Sequence, residues 1–293
     1  MSYYKPPKPD YDKYSNTQLM IIPLSLLVIA ISIILFWIVS TGLPVELGMA
    51  FVGGTEVRLD VSGFDDPQSE LDSIFESQQD GISSVPGTNE YIVTFPSETI
   101  SPEEVESIVN ENSELSLNEI SQISPLLGTS AQQTALMGLL ISFLLMSTFV
   151  FILFKSIAPS LIVILSAVGN ISVAVAAMNV VGIPLTMGTV GAILMLIGYS
   201  IDSDILMNNY VLNETKVSFN ESIHEAMRTG ITMSVTSLSA MIMMTIVATI
   251  FSIELLAHMG FVLSVGLATD MIITYMMNVG ILRYYMRKKG DYV

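Results

Sequence analysis

The chain has 293 residues, is 51% hydrophobic and only 13% charged, and has a mean hydropathy of +0.63. A soluble domain carries about 25% charged residues, and several apolar runs here reach the ~20 residues that span a bilayer core, so the composition excludes a soluble protein and describes an integral membrane one. A net charge of −16 argues against nucleic acid as a partner, and with no cysteine, disulfides, thiolate chemistry and cysteine-based metal sites are excluded.

Residues 1–18 are polar and hold Pro6, Pro7 and Pro9, so they are expected to be a disordered cytoplasmic tail. A first span follows over residues 19–39. Its apolar run is too long for a cleaved leader and no small-residue exit site follows, so it is expected to be a retained anchor.

Residues 40–133 form the one large soluble region. Thr55–Val61 alternates and ends at Gly63, a strand signal. Pro67 to Gln78 carries Leu71, Ile74 and Phe75 at helical spacing after an Asp66-Pro67 start. Ile82–Val85 is a weak strand, poor in apolar residues. Tyr91–Phe95 is a strong one, stopped by Pro96. Ser101-Pro102-Glu103-Glu104 opens a second helix with a serine cap, proline at the first position and acids in the first turn. Leu115–Ile123 closes as a strand. The order β-α-β-β-α-β predicts a ferredoxin-like split βαβ domain.

Five more spans occupy residues 134–282, approximately 134–154, 159–181, 185–207, 231–251 and 258–282, with residues 283–293 as a cytoplasmic tail. With the N-terminus inside, Lys5, Lys8, Lys13, Lys155, Lys216, Arg228, Arg283, Arg287, Lys288 and Lys289 are cytoplasmic and only Arg58 is outside. The predicted architecture is therefore six transmembrane helices in a 1+5 arrangement. One ferredoxin-like extracytoplasmic domain sits between the first two, and both ends are cytoplasmic.

Polar residues inside the spans carry the candidate chemistry. In Gly198-Tyr199-Ser200-Ile201-Asp202-Ser203-Asp204, two carboxylates sit where insertion costs about 2.5–3.5 kcal/mol each. Spaced by two, they diverge on a helix. Gly191, Gly198, Asp202 and Asn209 share one stripe; Ser200, Asp204 and Asn208 share another. Small residues beside a carboxylate are the pattern of tight helix contact, which makes Asp202 the expected inward acid. The bland alternative treats both acids as hydrated caps near the membrane surface. Asp270 lies mid-span with Gly266, Thr274 and Asn278 on its face, either as a coupling group or as a neutral acid gluing two helices. Asn170, also mid-span, reads as glue. Thr229, Thr232, Thr236 and Ser239 share a face that reads as helix packing.

Phosphate-loop, HExxH and GxSxG signatures are absent from the sequence, and His224 and His258 fall on opposite sides of the membrane, so no enzyme, cofactor or metal site is expected.

Three local matches then point to a family. Phe51-Val52-Gly53-Gly54-Thr55 after the first span resembles a D-F-x-G-G-T motif. Gly198-Tyr199-Ser200-Ile201 followed by an acid resembles G-Y-S-(I/V)-N-D. Glu225-Ala226-Met227 with Thr236-Ser237 resembles the approach to a fifth helix. In this order and topology the chain resembles the SecD/SecF family of protein-export membrane proteins, on its SecF side and of the archaeal type, related to the resistance-nodulation-division transporters. The resemblance covers nearly the whole chain. It implies an auxiliary export subunit in the cytoplasmic membrane that works with a SecD-like partner, the Sec translocon channel and precursor polypeptides. It also implies that Asp202, Asp204 and Asp270 take part in proton-linked or conformational coupling, with Arg228, Asn208 and Asn170 in support.

The sequence departs from the family pattern in three places. Ala50 stands where an aspartate is usual, the acid register is shifted by one residue, and Ile231–Val235 lacks the arginine that bacterial members carry in the fifth helix. Two rivals share parts of the pattern. A proton-coupled exporter of lipids or small molecules would need a second half and a larger outward region. An intramembrane aspartyl protease would need a G-x-G-D signature that this sequence does not have.

Overall fold

The structure is a computed structural model; it describes residues 11–61, 64, 66–75, 79, 81–84, 89–96, 100–112, 114–213, 218–251 and 253–289. Lys5, Lys8, Gly63, Val85 and Lys216 lie outside the described residues. Among the described residues, six helices are long and apolar enough to cross a membrane. They are α1 (Asn16–Thr41), α5 (Pro125–Phe154), α6 (Ile157–Val181), α7 (Met187–Asn213), α8 (Phe219–Ile250) and a last span. The last span runs as α9 (Glu254–Ile272), a π-helical turn (Ile273–Asn278) and α10 (Val279–Lys289).

Between α1 and α5 lie a short helix α2 (Met49–Val52), β1 (Gly54–Val61), α3 (Pro67–Ile74), β2 (Gly81–Ser84), β3 (Glu90–Pro96), α4 (Pro102–Glu111) and β4 (Leu115–Ile123). The sheet order is β2-β3-β1-β4 and every pair is antiparallel. That is the expected ferredoxin-like split βαβ arrangement. Alternation on β1 sends Val57, Leu59 and Val61 to one face, where they meet Leu71 and Phe75 of the first helical stretch, Val105 and Val109 of α4, and Val93 and Phe95 of β3. Phe75 and Phe95 meet edge to face with ring centroids 5.0 Å apart. Ser101 closes a capping box with Glu104 at the start of α4, as the sequence indicates. β2 is short and joins the sheet only through β3, which explains its faint signal.

Several helices extend beyond their predicted spans for visible reasons. α5 starts at Pro125, inside the region assigned to the soluble domain, because its early turns pack on α2. Gly128 lies against the Phe51 backbone, where a Cβ would sit 2.5 Å from the carbonyl oxygen, and Gln132 donates to that same oxygen at 2.7 Å. α8 starts at Phe219 because Phe219, Ile223 and Ala226 form an apolar face on Met207 and Val211 of α7.

The N-terminal expectation is corrected from residue 11 onward. Tyr11 is buried, and Ser15 caps α1 in a box with Gln18, so this stretch is packed and is not a disordered tail. What holds it is Arg283 of α10. Its buried guanidinium donates to the carbonyls of Tyr11 (2.6 Å) and Tyr14 (2.8 Å) and to the Asn16 side chain. A buried cation is costly unless its donors are used, and here all three nitrogens are.

The helix bundle is asymmetric. Half of the apolar window is buried in α6 and in α7, but only 11% in α5 and in α8. The hydroxyl face of α8 was expected to pack against a neighbour; Thr229, Thr232, Thr236 and Ser239 instead face outward. Thr232, Thr236 and Ser239 donate to carbonyls one turn back on their own helix.

Candidate functional site

The GGT motif is a joint between the two parts of the molecule. Gly53 takes φ 84°, a left-handed value that a side chain would strain, and Gly54 lies so close to β3 that a Cβ would come within 2.6 Å of the Phe95 carbonyl oxygen. Thr55 is buried. Just before the motif, Gly48 donates to the Leu185 carbonyl (2.8 Å) and Leu185 to that of Glu46 (2.7 Å). Asn179 donates to the Pro44 carbonyl at 2.9 Å. The connection from α1 to the sheet is thus stitched to the loop between α6 and α7. The motif carries geometry, not reactive groups.

The reactive groups lie deep in the bundle, where α6, α7 and the last span meet. On α7, the stripe Ser200, Asp204 and Asn208 faces inward and all three are buried. On α6, Ser166 and Asn170 share a face one turn apart, both fully buried. From the last span come Asp270, Thr274 and Asn278.

Asn170 is the bridge. Its side-chain amide donates to Ser200 Oγ at 2.9 Å and to Asp270 Oδ1 at 2.7 Å. Ser203 donates to Asp270 Oδ2 at 2.6 Å. Thr274 Oγ1 and Asn278 Nδ2 both donate to Asp204 Oδ1, at 2.9 and 2.6 Å. Thr274 lies against both carboxylates, and the Ser166 hydroxyl faces Asp204 without closing a hydrogen bond.

The π-helical turn explains how three residues of the last span serve one site. An ideal α-helix rotates about 40° further with each four-residue step, so Asp270, Thr274 and Asn278 would drift around it. The wider turn over Ile273–Asn278 offsets that drift and keeps Thr274 and Asn278 on Asp204. It also presents the Tyr275 carbonyl to the N-terminal segment, where Tyr11 Oη donates to it at 3.0 Å. Tyr275 in turn packs on Gly230 of α8, where a Cβ would meet its hydroxyl. Burial pushes the Tyr11 phenol up to about 12.

The two acids of α7 are therefore sorted, and in the opposite sense to the expectation. Asp202 is exposed, on the outer face of the bundle, and Asp204 is fully buried. Gly191 and Gly198 share the outer face, and a Cβ at either would meet nothing within 4 Å. A shallow groove there is lined by Phe149, Met195, Gly198, Tyr199, Ile201 and Asp202. The small-residue stripe is the expected inward contact, but among the described residues nothing packs directly on its glycines.

Asn170 joins the buried cluster through its hydrogen bonds, and Asn208 is buried on the same face of α7 as Asp204. Arg228 is exposed near the start of α8 and, among the described residues, forms no ion pair. Ser166, Ser203, Tyr11 and Arg283 were missed by sequence reasoning. Ser166 could have been found from its i, i+4 spacing to Asn170; the other three had no such signal.

Residues 104–288 match the family model described as "Protein export membrane protein SecD/SecF, C-terminal". The chain belongs to the SecD/SecF family.

Within the SecD/SecF family the similar curated proteins carry the name protein-export membrane protein SecF. The one from Haloferax volcanii is 47% identical over 95% of this chain and 96% of its own length. Those from Haloquadratum walsbyi (44%; 98% and 99%) and Methanolacinia petrolearia (36%; 96% and 98%) are also matched over nearly their whole lengths. The fold is that of a solved SecD/SecF family member, SecDF from Thermus thermophilus, described as a translocon-associated membrane protein. The TM-score is 0.75 at 17% identity over 98% of this chain. The present chain spans 40% of that SecDF chain.

Proposed function

We propose that this protein is an auxiliary subunit of the Sec protein-export machinery that acts beside a SecD-like membrane partner. The observation that carries the reading is the outer face of α7. A carboxylate, Asp202, and two glycines with open space above them are directed away from the chain's own bundle. An acid on a lipid-facing surface is costly, and small residues favour close approach of another helix. A partner helix resolves both. The near-full-length relatives named SecF, and a solved relative in which this fold fills less than half of a longer chain, support a second half of similar architecture.

In this reading the protein is a multi-pass component of the cytoplasmic membrane with both termini inside, supported by ten of the 11 basic residues falling on that side. The ferredoxin-like domain stands outside and meets emerging precursor polypeptides near the translocon channel. Asp204 and Asp270 belong to the conformational or proton-linked coupling unit, while Asp202 works at the partner surface. The joint at Gly53–Thr55 and Leu185 transmits motion between the bundle and the outer domain.

The test is a gentle-detergent pull-down of the tagged protein from its native membranes, followed by mass spectrometry. Co-recovery of a second membrane protein with the same 1+5 span order, together with translocon subunits, is the expected result. Recovery alone or as a homo-oligomer, with precursors exported at normal rates in a deletion strain, overturns the export reading and favours a self-contained transporter.

A further inference from the structure

Two adjoining cavities form a furrow between α1 and α6. The larger, of about 550 Å³, is lined by Val28, Ser32, Phe36 and Trp37 on α1 and by Asn179 and Val180 on α6. The smaller, of about 280 Å³, shares Ile29, Ile33 and Val180 with it and continues to Leu26 and Val173. From Leu26 to Trp37 the furrow is about 16 Å long, close to one leaflet of a ~30 Å hydrocarbon core. Val28, Phe36 and Val180 are largely exposed, and on membrane-spanning helices such apolar walls face lipid chains. Ser32, a polar residue on the wall, ties its hydroxyl to the Val28 carbonyl at 2.8 Å.

One end of the furrow asks for more than hydrocarbon. Trp37 Nε1 and Asn179 Oδ1 are shielded from solvent, and neither has a hydrogen-bond partner among the described residues. Asn179 is only 5% exposed. Its amide is oriented by Nδ2, which donates to the Pro44 carbonyl at 2.9 Å, so Oδ1 turns the other way. Both residues line the larger cavity, within about a turn of where α1 and α6 end on the side of the sheet domain. Tryptophan is enriched at that depth, where lipid chains give way to polar ends. An indole N–H only donates and an amide oxygen only accepts. Phosphate and ester oxygens would serve the indole alone, and an ammonium group the amide alone. A hydroxyl serves both.

We infer that the furrow between α1 and α6 binds a membrane lipid, one chain lying along it and a free hydroxyl at the lipid's polar end held between Trp37 Nε1 and Asn179 Oδ1. Phe36 on the rim is 71% exposed and free to turn aside as the polar end enters. Asn179 also holds Pro44, so the bound lipid sits beside the connection from α1 to the sheet. This assignment goes beyond the export role and does not depend on it.

Trp37 is the chain's one tryptophan, so intrinsic fluorescence reads this site alone. The experiment reconstitutes the full chain in phosphatidylcholine vesicles and adds diacylglycerol brominated in its chains, which quenches a neighbouring indole. A second series uses the same lipid with its hydroxyl acetylated. The expected result is saturable quenching by the free alcohol at a mole fraction about tenfold lower than the acetate requires. Asn179→Leu removes the acceptor and should abolish that preference. Val180→Phe fills the furrow from an exposed position shared by both cavities, so it tests the site where Asn179→Leu fails to fold, and it too should abolish the preference. Leu144→Phe, on an exposed face of α5, should retain it. Equal quenching by the two lipids in proportion to their mole fraction overturns the inference, because the furrow then meets only bulk lipid. Absence of quenching by either lipid also overturns it, with a water or another protein helix in the furrow instead. A preference that survives in both Asn179→Leu and Val180→Phe overturns the location. These readouts come from the isolated protein, so a failed pull-down or a normal export rate leaves them independent.

Discussion

Asp202 and Asp204 sit two residues apart on one helix and have opposite surroundings. Asp204 meets Thr274 and Asn278 in the buried centre of the bundle; Asp202 stands in an open groove beside Gly198. The inner face is complete in its contacts within the chain, apart from the acceptor oxygens, whereas the outer face is unfinished. A transmembrane carboxylate needs its own partner: Asp204 has one in the last span, and Asp202 is the acid we propose meets a helix of another protein.

Changes at the inner face should cost stability even in the isolated chain. The largest loss is expected for Asn170→Leu, which removes two buried hydrogen bonds and leaves acceptors of Asp270 and Ser200 bare. We expect about 3 kcal/mol, read as a lower unfolding midpoint in detergent. An unchanged midpoint would mean that α6 does not bind Asp270 as described. At the joint, Gly54→Ala forces a Cβ against the Phe95 carbonyl oxygen, and about 1–3 kcal/mol should be lost. Proteolysis of the sheet domain should then speed up while the bundle keeps its midpoint.

The N-terminal clasp gives a smaller, pH-dependent effect. The Tyr11 phenol is raised by burial from 10.0 to about 12. Between those values the unfolded chain has lost the proton and the folded chain keeps it, so stability falls as pH rises from about 10 to about 12. Tyr11→Phe should cost about 1 kcal/mol at neutral pH and flatten that alkaline slope; a slope identical to wild type would place the phenol in water. The smallest effect on stability belongs to the outer face. Asp202→Asn should change the midpoint by less than about 0.5 kcal/mol yet reduce co-purification of the partner. A large loss of stability from Asp202→Asn would erase the distinction between the two faces.

Much of this was legible in the chain. Alternation on β1 and β3, the Ser101 capping box and the span lengths determine the sheet order and the helix count. Which face of α7 turns inward was not legible. The spacing defines the two stripes, but both contain an acid, and a stripe of glycines is an equally good contact for a helix of another chain. The π-helical turn has no periodic signature, so the meeting of Asn278 with Asp204 could not be drawn from an α-helical wheel. Tyr11 and Arg283 were hidden for another reason. Their bond joins the two ends of the chain through backbone carbonyls, and a carbonyl partner leaves no pattern of residue types.

The chain has no cysteine, which makes the decisive measurement clean. Single cysteines placed at Gly198 and Asp202 on the outer face, and at Ser203 and Asn208 on the inner one, would be tested in native membranes with a short thiol–amine cross-linker. The account predicts cross-links to a second membrane protein of the same span order from positions 198 and 202, and none from 203 and 208. Cross-links from 203 or 208 with silence at 198 and 202 would contradict it, and would turn the helix around.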